Sequence, residues 1–195
     1  MSSTPAVPAE LLDGWRLVDE RTETPFDITL VTVTAHTTVY EDPDLAAALR
    51  ERTGVDGPGR FFLTSHVVLR PQPPASEALR RLVADRVARD FAGRLRDRGF
   101  TSVEQTNQRP FSVDGADARL AAYEGVYPLG DGVELGVQGW LAVWQADGDF
   151  LLAGGAYPTH VHDPTGETTD AVREQLSPQR FRDELFEFIW AVERP

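Results

Sequence analysis

Residues 133–157 read VELGVQGWLAVWQADGDFLLAGGAY, and the Asp147-Gly148 step inside them decides the fold. Asp-Gly between two alternating apolar runs favours the two-residue type I′ hairpin turn. A turn of that length sets the register. Trp144 then faces Leu151, Val143 faces Leu152, Ala142 faces Ala153, Leu141 faces Gly154, Trp140 faces Gly155 and Gln138 faces Tyr157. Strand side chains alternate between faces. One face is therefore aliphatic, with Val133, Leu135, Val137, Leu141, Val143, Phe150 and Leu152. The other is aromatic, with Trp140, Trp144 and Tyr157 beside Leu151. Gly155 opposite Trp140 predicts an indole lying over bare backbone. The aromatic face either lines a ligand groove or is covered by a helix such as 178–192; cover is the commoner arrangement.

Two more Asp-Gly steps, Asp114-Gly115 and Asp131-Gly132, extend this hairpin into a meander. Its strands are expected at about 101–113, 116–127, 133–146 and 149–157, with Pro158 ending the last. His160 to Glu167 is then a loop. Ser177-Pro178 supplies an N-cap and a first-turn proline for a final helix to about Val192, with an apolar face of Phe181, Leu185, Phe188, Ile189 and Val192.

Upstream of the meander, SEALRRLVADRVARDFAGRLRDRG at 76–99 is the clearest helix. Ser76 caps its start and Gly99 follows its end. Leu79, Val83, Val87, Phe91 and Leu95 recur at i+4 as one apolar row. Earlier still, Arg60–Arg70 (RFFLTSHVVLR) is apolar on both faces, as a central strand is. Asp42-Pro43 starts a short helix over 44–52. Phe26–Tyr40 (FDITLVTVTAHTTVY) alternates as one half-buried antiparallel strand, and 15–23 is a weaker one. Residues 1–10 read as a disordered tail and 11–195 as a single domain. Strands with hairpin chemistry on both sides of one long helix define an α+β fold. It is an antiparallel β-sheet of about six to seven strands covered by helices, with three layers preferred because the sheet has two apolar faces.

The composition excludes several classes. There are no cysteines, hence no disulfide or thiolate metal site, and no P-loop, G-x-G-x-x-G or G-x-S-x-G. Net charge is −12, and all 19 basic residues are arginine. That field opposes nucleic-acid and anionic-lipid binding and destabilises a compact chain unless salt screens it. An acidic, lysine-free chain is the expectation for a halophile; codon bias toward Arg, Ala, Gly and Pro is the alternative. No apolar run approaches the ~20 residues that span a bilayer, and the first residues lack the basic and apolar regions of a signal peptide. The expected location is cytoplasmic.

The candidate chemistry is sparse. His160-x-His162-Asp163 is the one cluster of metal-ligand types, at a spacing that matches no metalloenzyme motif. His36 and His66 lie on strands and pair only if those strands are neighbours. Ser65, Ser102 and Ser112 lie within strands without a nucleophile elbow. The 76–98 helix carries seven arginines against four carboxylates, a basic ridge on an acidic body. Its i,i+4 partners Arg81–Asp85, Asp85–Arg89, Arg86–Asp90 and Asp90–Arg94 predict a largely self-paired helix face.

The stretches Gly14-Trp15, ITLVTVTAHTTVYE at 28–41, FFLTSHVVLRPQP at 61–73 and FLLAGGAYP at 150–158 resemble an uncharacterised haloarchaeal family of unknown function, many of whose members look like lipoproteins. This chain departs from them in lacking a signal segment and a lipid-bearing cysteine. The order strand, helix, meander, helix also resembles the Mog1/PsbP-like α/β/α sandwich, whose members are mostly non-catalytic binding or assembly proteins. The resemblance carries no functional residues over. The expectation is a soluble, non-enzymatic binding or accessory domain with a protein or small-molecule partner and no cofactor. A metal-dependent hydrolase built on His160 and His162 and a self-assembling structural protein are the alternatives. No catalytic, cofactor-binding or metal-binding residue is assigned, and no oligomeric state is.

Overall fold

The structure is a computed structural model and describes residues 4–24, 27–28, 31–57, 59–130, 132–162 and 166–194. The chain order is β1 (Arg16–Glu23), β2 (Asp27–Ile28), β3 (Val31–Glu41), α1 (Pro43–Thr53), β4 (Phe61–Arg70), α2 (Glu77–Asp97), β5 (Thr101–Val113), β6 (Ala116–Pro128), β7 (Glu134–Ala146), β8 (Asp149–His162), α3 (Glu167–Arg173) and α4 (Pro178–Trp190). Seven long strands form one antiparallel sheet in the order β1-β3-β4-β8-β7-β6-β5, and the two-residue β2 pairs with β3. The fold is α+β, as the sequence implies.

The β7–β8 register is the expected one: Trp144 faces Leu151, Val143 faces Leu152, Trp140 faces Gly155 and Gln138 faces Tyr157. Helix α2 covers the aliphatic face, where Phe91 packs on Tyr123 and the Tyr123 hydroxyl donates to the Ala88 carbonyl at 2.9 Å. Helix α4 covers the aromatic face, where Phe188 packs on Phe62 and Phe186 meets Trp140 edge-on at 5.2 Å. The expected cover is therefore in place, and the space left between α2 and the sheet is about 50 Å3.

Four expectations about the sheet need correction. The strand expected at 26–40 is two strands. Asp27 and Ile28 fold back to face Thr32 and Val31, and Phe26 lies outside the described residues. Strand β8 does not stop at Pro158. The register shifts beside Val137, which faces Pro158, and pairing resumes at Gly136 with His160. A bulge tolerates a residue with no N–H to donate. His160 and His162 consequently sit on a strand end and not in a loop. At Gly155 the nearest atoms are not those of an indole. A Cβ there would meet the Phe61 carbonyl oxygen at 2.1 Å and Leu185 at 3.1 Å, so the bare backbone serves β4 and α4. Glycines do lie beneath rings elsewhere, Gly136 under the His160 imidazole and Gly57 against the Tyr127 ring.

Within the stretch expected as a tail, Val7 is buried, Ala6 bridges to Glu193, and the Pro5 carbonyl accepts from the Thr64 hydroxyl at 2.9 Å.

Candidate binding surface

The sheet brings His36 and His66 directly opposite each other, ring centroids 6.3 Å apart. Both are committed to neighbours. His36 Nδ1 contacts the Thr22 hydroxyl at 2.9 Å, and His66 Nε2 contacts Asp149 at 3.2 Å. Asp149 also accepts from Arg70 at 3.1 Å. Asp149 is a partner that local sequence does not reveal, because β4 and β8 meet only in the sheet. Ser65 bonds Thr37 at 2.8 Å in the interior. Ser102 occupies a positive-φ position at an irregularity in β5, and Ser112 is exposed on the same strand.

His160 and His162 are brought together at 4.5 Å between ring centroids, and Thr159 holds the His160 Nδ1 at 2.9 Å. Asp163 lies outside the described residues. Among the described residues no group of three or more metal-ligating side chains forms.

The arginines of α2 are tied into the fold, though mostly not as the i,i+4 spacing predicts. Only Arg86–Asp90 forms, at 3.6 Å. Arg80 and Arg81 both hold Glu77, Arg94 pairs with Glu23 on β1, Arg98 with Glu41 on β3, and Arg96 donates to the Val103 carbonyl. The helix crosses the sheet, so its last two turns emerge above strand carboxylates. A half-buried carboxylate there is a stronger partner than an exposed one on the same helix.

Arg60 anchors the other side. It is 7% exposed, lies 4.7 Å from the Trp15 ring centroid and 4.6 Å from that of Phe181, and pairs with both Asp42 and Glu184. Asp42 is also the α1 N-cap. This cluster forms the floor of an open, acidic cleft between α1 and α4.

The remaining feature is an aromatic rim where α4 overlooks the edge strand β5. Trp190 is 54% exposed and stacks on Phe111 at 6.0 Å and 19°. Phe186 touches Phe111, Trp190 and Trp140, closing the cluster. Position 182 is four residues before Phe186, and Trp190 is four after, so one side of α4 presents Arg182, Phe186 and Trp190 in a line. The Arg182 guanidinium lies over Phe186 at 5.4 Å, and Arg109 lies over Phe111 at 5.8 Å. Neither arginine has a carboxylate partner among the described residues, although acids outnumber bases 31 to 19. The sequence reading missed this rim. Phe111 and Trp190 are 79 residues apart, and each alone resembles an ordinary face residue.

The architecture is that of an antiparallel sheet sandwiched between helices, with an aromatic–arginine rim exposed beside the β5 edge. By sequence, the chain belongs to the domain-of-unknown-function family DUF6517, whose model matches residues 4–193. No curated protein matches it.

Proposed function

We propose that this chain is a non-enzymatic binding or accessory domain whose contact surface is the rim formed by Phe111, Arg109, Arg182 and Trp190. The observation that carries this reading is Trp190, the most exposed large apolar side chain among the described residues, stacked on Phe111 beside two guanidiniums with no carboxylate partner among those residues. Tryptophan and arginine dominate the energetics of protein contacts because they combine a large apolar area with directional polar groups. The rim suits an occupant that offers negative charge next to an apolar or aromatic group.

The acidic, lysine-free composition supports a halophilic setting, where salt screens the net charge. Helices on both faces of the sheet agree with the Mog1/PsbP-like order and its mostly non-catalytic members. Among the described residues no helix is long and apolar enough to cross a membrane. The hydrolase alternative keeps only the His160/His162 pair in its favour.

Titration with anilinonaphthalene sulfonate, an anionic aromatic probe, tests the rim. Saturable binding that weakens in Trp190→Ala and in Arg182→Glu supports it; binding indifferent to both variants overturns it.

A further inference from the structure

Helix α4 leaves a polar contrast along the β5 edge. Glu104 on β5 faces Glu124 on β6, and both are exposed, with no cation paired to either among the described residues. Like charges directly opposed across two strands destabilise the pairing. Glu124 faces Gln138, which shares its face of β7 with Trp140, so this carboxylate pair lies on the α4 side of the sheet. Arg109 and Phe111 lie on the same side, toward the other end of β5, and Arg109 has no carboxylate partner among the described residues. One edge therefore carries unmatched negative charge at one end and unmatched positive charge at the other.

We infer that the partner of this surface is a second copy of this chain, docked about a two-fold axis at the β5 edge and engaging the rim through Arg109. The inference rests on reading the rim as a contact surface and names its partner. A two-fold contact is self-complementary: if residue i meets residue j, then j meets i. With the axis between Thr106 and Asn107, Glu104 meets the partner subunit's Arg109, and Arg109 meets the partner subunit's Glu104. Gln105 and Gln108 meet in the same way, and Thr106 meets the partner subunit's Asn107. Both carboxylate ends thus receive a guanidinium, and the aromatic rim lies next to the seam. Pro110 and the two register irregularities of β5 interrupt a continuous ladder, so side chains carry the contact. The opposite edge, β1, reads RLVDERTE and has different chemistry, so the contact closes as a pair without propagating.

Sedimentation velocity on the full chain tests this, at the lowest salt where circular dichroism shows the fold intact. The expected result is a dimer whose association weakens at least tenfold in Glu104→Arg and again in Arg109→Glu. Association should return in the double variant, where the charges are exchanged. These side chains are exposed, and circular dichroism checks that each variant is folded. A wild-type chain that stays monomeric at high concentration overturns the inference, as do single variants that associate normally or a double variant that does not recover. If the chain is monomeric while Trp190-dependent probe binding persists, the second copy is excluded and the rim reading stands. If both fail, the rim reading falls as well.

Discussion

Arg60 at the start of β4 and Glu184 in the second turn of α4 form an ion pair that fastens the helix to the sheet. The same guanidinium holds Asp42 at 2.7 Å, and Trp15 Nε1 donates to Glu184 at 3.2 Å. The N-terminal segment, α1, β4 and α4 therefore share one buried charge. Removing one partner from such a group leaves the others desolvated and unpaired, which costs more than the pair itself contributes.

Arg60→Met should accordingly lower unfolding free energy by about 3 kcal/mol. Glu184→Gln keeps the side-chain shape but has one acceptor oxygen for two donors, Arg60 and Trp15, so it loses one hydrogen bond and should cost about 1 kcal/mol. Chemical denaturation of the two variants checks the order of these effects.

Tyr123 predicts an alkaline limit. Burial pushes its hydroxyl well above the usual tyrosine range, because ionisation would place a charge between α2 and the sheet. Burial also raises Tyr40, Tyr127 and Tyr157. A raised folded-state pKa gives stability that is complete below the unfolded value, about 10, and is lost as pH climbs from there toward the folded value. Denaturation midpoints should fall above about pH 10, and the fall should be shallower in Tyr123→Phe. At neutral pH that variant loses one hydrogen bond, about 1 kcal/mol.

Asp90 gives an opposite kind of test. Burial against the sheet raises its pKa despite Arg86 and Arg94, so the neutral form suits the fold better. Between the unfolded value and the folded one, rising pH therefore removes stability. Asp90→Asn should raise the melting temperature at pH 7 by the equivalent of a fraction of a kcal/mol. The gain should vanish below about pH 4, where the wild-type carboxyl is protonated in both states. A variant less stable than wild type at pH 7 would show that the Arg86 pair outweighs burial.

The net charge of −12 makes a bulk prediction. Self-repulsion is screened as the Debye length falls from about 10 Å at 0.1 M salt to about 3 Å at 1 M. Melting temperature should climb steeply over that range of KCl. A flat profile would reduce the composition to codon bias.

What could be read from sequence depended on distance along the chain. The β7–β8 register was legible because Asp147-Gly148 fixes it within two residues. Helix α2 was legible from its cap and apolar row. The β2–β3 reversal was not, since positions 29–30 are Thr-Leu and carry no turn residue. Pro158 misled because a bulge, invisible without the partner strand, removes the usual penalty. The rim was beyond reach for the same reason as Asp149 beside His66: its residues converge only when β5, β7 and α4 are assembled. The arginine ridge was legible as charge, yet its partners Glu23 and Glu41 lie on other elements.

Residue-resolved NMR during anilinonaphthalene sulfonate titration decides whether the Trp190 rim is a contact surface. Saturable shifts should concentrate at Arg109, Phe111, Arg182 and the Trp190 indole, and Trp190→Ala should weaken binding at least tenfold while the folded spectrum persists. Shifts centred instead on the cleft floored by Arg60, or on His160 and His162, with Trp190 unmoved, would contradict it.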